Sequence, residues 1–127
     1  MNLLAKLKRV LSLIVVFAMI FSMVPTVATA AAAPEKLYLK PNSNWTSANA
    51  RFAAYFFGNG EKWVDMTDAD GDGVYEVEVP DGFAKVIFCR MNPATTANNW
   101  NNKWNQTGDL TIPTDGKNLF TLPNGSW

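Results

Sequence analysis

The feature that most narrows the fold is punctuation. From residue 37 onward the chain divides into short apolar runs at 37–40, 52–57, 63–66, 74–79, 86–91, 110–112 and 119–122, all of strand length. Between them stand turn formers: Pro41-Asn42-Ser43-Asn44, Gly58-Asn59-Gly60, residues 68–73, Pro80-Asp81-Gly82, an Asn-rich stretch over 92–105, and Thr114-Asp115-Gly116. No segment past residue 30 reads as a helix. Residues 74–79 alternate strictly, so Tyr75, Val77 and Val79 share the face expected to meet the core, while Val74, Glu76 and Glu78 share the other. Seven short strands at regular spacing predict an all-β fold, a two-sheet antiparallel β-sandwich of immunoglobulin-like kind.

Residues 1–30 have a different character. Lys6, Lys8 and Arg9 precede an apolar run over 10–24, then the breaker Pro25 and the small residues Ala28 and Ala30. A basic start, a short apolar stretch and small residues at its end form the layout of a secretory signal peptide. The run is shorter than the roughly 20 apolar residues a membrane-spanning helix requires. The expected division is therefore a cleaved signal at 1–30, a short linker at 31–35 and one module at 36–127, secreted to the extracellular space and free of the membrane once the signal is removed. The leader carries 3 of the 11 basic residues, so the mature chain keeps 8 against 11 acidic ones, a net charge of −3. Without clustered Lys and Arg there is no electrostatic footprint for nucleic acid or anionic lipid.

The chain contains no histidine and one cysteine, which excludes Ser-His-Asp and Cys-His catalysis and a zinc site of His and Cys ligands. Cys89 lies in a β-branched and aromatic run and reads as a buried core thiol. Glu61, Asp65, Glu76 and Glu78 are the carboxylates that could pair as acid and base, but they sit on short strands or turns where no deep cleft is expected. No catalytic residue and no cofactor is expected. Asp68-Ala69-Asp70-Gly71-Asp72-Gly73 begins like a calcium loop, yet its twelfth position is Val79 instead of a bidentate Glu. The expected reading is a hairpin loop whose Asp side chains cap backbone donors, with no metal, and the alternative is an incidental weak calcium site.

The unusual feature is the aromatic and amide content: Trp45, Trp63, Trp100, Trp104, Trp127, Tyr38 and Tyr55 are set among 12 asparagines after residue 30. A surface aromatic ring stacks on the apolar face of a pyranose while amides and Lys reach the surrounding hydroxyls. Tyr55 and Trp63 are the sharpest pair. A three-residue loop at 58–60 sets Tyr55 opposite Trp63 with both rings on one face; a four-residue loop sets Phe56 opposite Trp63 and buries the indole. Trp100, Lys103, Trp104 and Gln106 lie in the longest irregular stretch, where binding groups concentrate. Within it, one Trp can anchor the loop while the other meets ligand. Tyr38, Trp45 and Trp127, near the ends of the mature chain, are expected to close the core.

These residues in order resemble a known family. Leu37-Tyr38-Leu39-Lys40-Pro41 followed by Asn44-Trp45, Ala54-Tyr55-Phe56-Phe57 leading to Trp63, Asp70-Gly71-Asp72-Gly73-Val74-Tyr75 and the Trp-Asn segment are together similar to starch-binding carbohydrate-binding modules of family 26 and the related family 25. The resemblance spans residues 36–127. It implies a β-sandwich that binds starch or another α-1,4-glucan through an aromatic pair and polar side chains, with Tyr55 and Trp63 at the platform positions and Trp100 or Trp104 as a later aromatic. Such modules are appended to amylases, and with no catalytic domain attached here the module is expected to act alone, to belong to a larger amylolytic assembly or to be a fragment of a longer product. The other function open to such a surface is an assembly module whose aromatic face takes a protein partner.

Mass spectrometry of secreted material should find an N-terminus between Thr29 and Pro34. An intact Met1 in a membrane fraction would overturn the signal assignment.

Overall fold

A computed structural model of the protein describes residues 32–127; the expected leader at 1–30 lies outside the described residues. The described residues form eight strands: β1 Lys36–Lys40, β2 Arg51–Phe57, β3 Glu61–Asp65, β4 Tyr75–Glu78, β5 Lys85–Met91, β6 Lys103–Gln106, β7 Leu110–Thr111 and β8 Leu119–Thr121. They build two sheets, one of order β4-β1-β8 and one of order β3-β2-β5-β6 with β7 also paired to β5. The fold is the expected all-β sandwich. Pairing is antiparallel apart from β1 and β8, which run parallel with Tyr38 opposite Leu119.

Alternation along the strands explains the core. Leu37 and Leu39 of β1, Val77 of β4 and Phe120 of β8 face Phe52, Ala54 and Phe56 of β2 and Val86 and Phe88 of β5. Tyr75 and Val79 pack on this cluster as the 74–79 pattern predicts. Phe52, Phe56 and Phe88 are essentially inaccessible, each contributing about 1.5–3 kcal/mol of apolar burial. Trp45 is buried in the core and Trp127 packs against it. Tyr38 does not close the core: it stands between the buried Leu37 and Leu39 and so points outward.

Two further elements depart from the sequence reading. Ser43–Thr46 forms one helical turn, because the Asn42 side chain accepts a hydrogen bond from the Trp45 amide at 2.9 Å and caps it. β6 arises inside the stretch expected to be irregular. Lys, Trp, Asn and Gln have no apolar alternation to announce a strand, and what orders them is pairing with β5. Among the described residues no helix is long and apolar enough to cross a membrane.

β5 is buried on both faces, every residue from Val86 to Met91 being covered. Its inner face enters the sandwich core; on its outer face Ile87, Cys89 and Met91 join Ala53 of β2 in a second apolar cluster. Burial pushes the Cys89 thiol up to about 12, with the charge of Lys103 opposing weakly. The thiolate is the reactive form, so the native protein should resist a thiol reagent at neutral pH and take up one equivalent after denaturation. Rapid labelling of the folded protein would show that the outer cluster opens.

Candidate functional site

The outer face of the five-stranded sheet is built on the β2–β3 hairpin. Phe57 pairs with Glu61 and Tyr55 with Trp63, so the loop is the three-residue one. Gly60 at φ +81 takes the left-handed conformation this loop requires and that a side chain would strain. Tyr55, Phe57 and Trp63 therefore share a face, packed on Ala53, Ile87, Cys89 and Met91.

Trp100 reaches the same face from the long loop after β5. Its ring centre lies 4.8 Å from that of Tyr55 and 4.7 Å from that of Trp63, while Tyr55 and Trp63 are 4.9 Å apart. The planes meet at 53° to 65°, so the three rings brace one another edge to face instead of forming the flat platform a simple hairpin would present. Tyr55 and Trp63 are half-buried, and Trp100 presents the most surface, being 42% exposed.

The polar rim comes from β6 and from β3. Lys103 donates from Nζ to Gln106 Oε1 at 2.5 Å and stands 5.5 Å from the Trp100 ring centre. The Tyr55 hydroxyl donates to Glu61 Oε2 at 2.5 Å. Of the six residues expected to bind sugar, the structure thus brings together Tyr55, Trp63, Trp100, Lys103 and Gln106. Trp104 does not join them. Its ring covers the Arg90 guanidinium at 4.7 Å, and Arg90 follows Val86 and Phe88 on the core side of β5. The later aromatic of this cluster is Trp100.

Arg51, which the sequence reading passed over, holds the loop in place. It donates to the Asn92 carbonyl at 3.3 Å, Asn98 Oδ1 at 2.5 Å, Thr95 Oγ1 at 3.1 Å and the Ala97 carbonyl at 2.8 Å. Asp65, opposite Ala53 on β3, accepts from Asn98 Nδ2 at 2.8 Å and lies 3.6 Å from Arg51 Nη1. The loop's polar groups are thus satisfied against the sheet, which fixes the approach of Trp100. A signal existed, since Arg51 has the same parity on β2 as Tyr55, but no local pattern says that four partners are 41 to 47 residues away.

In the acidic loop the Asp side chains cap backbone donors, and ligand atoms of Asp68, Asp70 and Asp72 also lie within 4.8 Å of one another. Asp68 Oδ2 accepts from the Gly73 amide at 2.9 Å, Asp70 Oδ1 from Asp72 at 3.3 Å and Asp72 Oδ1 from Val74 at 2.9 Å. Val79, where a calcium loop needs its bidentate ligand, packs against the core. The four carboxylates considered for catalysis divide between the sheets: Glu61 and Asp65 lie on β3, Glu76 and Glu78 on β4. None of the family models, curated proteins and solved structures compared with the chain matches it.

The Tyr55–Glu61 contact generates a pH prediction. The hydrogen bond to Glu61, then burial, then the negative charge of Glu61 hold the Tyr55 phenol above its ordinary value of 10.0. Folding therefore favours the neutral phenol; that contribution is complete below pH 10 and is lost as pH rises through the higher folded value. Titration followed by tyrosine ring resonances should show Tyr55 ionising above the usual range. Glu61→Ala should bring it down; an unchanged midpoint would mean the bond is absent in solution.

Proposed function

We propose that residues 36–127 form a secreted, non-catalytic module that binds starch or related α-glucans at the Tyr55, Trp63 and Trp100 cluster. The observation that carries this reading is the meeting of three aromatic rings, within 4.9 Å of one another, on a sheet face whose rim offers Lys103, Gln106 and Glu61. The exposed π-surface of Trp100 can take the apolar C–H side of a glucose unit, and the rim groups match its hydroxyls. The family resemblance points to the same ligand. Membership of a larger amylolytic assembly belongs to the same proposal.

Native electrophoresis through gels with and without amylopectin tests it. The wild-type protein should be retarded. Trp100→Ala should abolish retardation with little change in melting temperature, since truncating an anchoring aromatic costs about 2 kcal/mol or more and affinities between millimolar and micromolar amount to only about 4–8 kcal/mol. Trp63→Ala should abolish it too but lower the melting temperature by several degrees, because the half-buried indole, unlike that of Trp100, packs on the apolar cluster of Ala53, Ile87, Cys89 and Met91. Arg51→Met should weaken binding by releasing the loop that presents Trp100. If the wild type runs unretarded and the same face instead binds a protein partner, the glucan reading fails.

A further inference from the structure

β6 sends Lys103 and Trp104 to opposite sides of the sheet. Lys103 lies on the outer side, 5.5 Å from the ring centre of Trp100. Trp104 lies on the other, its ring 4.7 Å from the Arg90 guanidinium. The register with β5 shifts at this point: Arg90 pairs with Asn105 and Met91 with Lys103, leaving Trp104 as the extra residue of a bulge. Bulges re-aim a side chain at a sheet edge.

The ring's inner face is clamped. Arg90 is 9% exposed and donates to the Trp45 carbonyl at 2.8 Å, the Ser47 carbonyl at 2.8 Å, Ser47 Oγ at 3.1 Å and Asn105 Oδ1 at 3.1 Å. All of these acceptors are neutral. Among the described residues the ion pairs are Lys36–Glu76 and Arg51–Asp65, so the charge of Arg90 is balanced by dipoles and by the π-face of Trp104. An indole held on one side by a fixed cation, yet 41% exposed, gives up little freedom when something stacks on it.

We propose that Trp104 is a second stacking site for a glucose unit, separate from the Tyr55, Trp63 and Trp100 cluster and on the opposite side of β6. The inference rests on the α-glucan reading above. One indole, over a guanidinium that also holds Ser47 Oγ and Asn105 Oδ1, offers about the area of a single sugar ring, far less than the roughly 800 Å² per partner of a stable protein interface. Two sites facing different ways let one module hold two stretches of a polysaccharide, and avidity then exceeds the affinity of either site.

The test uses the secreted protein and maltotriose, too short to reach around the sheet edge to both sites. Indole N–H resonances are followed during titration, and calorimetry gives the stoichiometry. The expected result is movement of the Trp104 and Trp100 signals, with two sugars bound. Trp104→Leu, which keeps an apolar cover on Arg90, should reduce the stoichiometry to one, leave the remaining affinity unchanged, and weaken retardation by amylopectin by roughly 10²-fold. Movement of Trp100 alone with one sugar bound would overturn the second site and leave the first. Movement of Trp104 alone would support the Trp104 site and overturn the cluster as the binding face. No movement of either signal would overturn both. The wild-type titration decides even if Trp104→Leu fails to fold.

Discussion

The pairing of β2 with β5 is the constraint on which the rest depends. Seven residue pairs run without a break from Arg51 opposite Met91 to Phe57 opposite Lys85. One side of this ribbon supplies Phe52, Ala54, Phe56, Val86 and Phe88 to the sandwich core; the other supplies Ala53, Tyr55, Ile87, Cys89 and Met91 to the outer cluster. A slip of one residue would exchange the two sets and expose the phenylalanines. The register that buries the core is therefore the same register that brings Tyr55 beside Trp63. Placement of the aromatic face is a by-product of core packing and shares its rigidity.

The two arginines at one end of this ribbon solve a problem that the strands leave open. Irregular segments carry backbone carbonyls that need partners. Arg51 gathers groups of the 92–98 loop on the outer side, and Arg90 gathers those of the Trp45–Ser47 turn on the inner side. Each guanidinium does for its segment what a ladder of main-chain hydrogen bonds does for a strand. The consequence reaches the surface: the Arg51-tied loop delivers Trp100 to the outer face, and Arg90 holds Trp104 from beneath.

The chain has no histidine, and its single thiol is buried in the outer cluster. The surfaces on offer are aromatic, and each is stiffened from behind: the three-ring cluster by mutual edge-to-face contact, Trp104 by a cation. Rings ordered before a ligand arrives waste less of a weak contact on ordering.

The strand pattern, the inward face of 74–79, the burial of Cys89 and the capping role of the acidic loop were legible in the sequence, because each depends on alternation or on spacing of a few residues. So was the choice between two hairpin registers, though not its outcome. The tertiary structure decided what depends on distant partners. β6 became a strand through an edge offered by β5; the outward Tyr38 and the Asn42-capped turn at Ser43–Thr46, by contrast, follow from neighbours in sequence. The tertiary structure also separated Trp100 from Trp104, which in sequence differ by four positions and look interchangeable. A bulge opposite Arg90 and a loop tied down by Arg51 send the two indoles to opposite sides of one sheet, and neither cause lies within reach of local sequence.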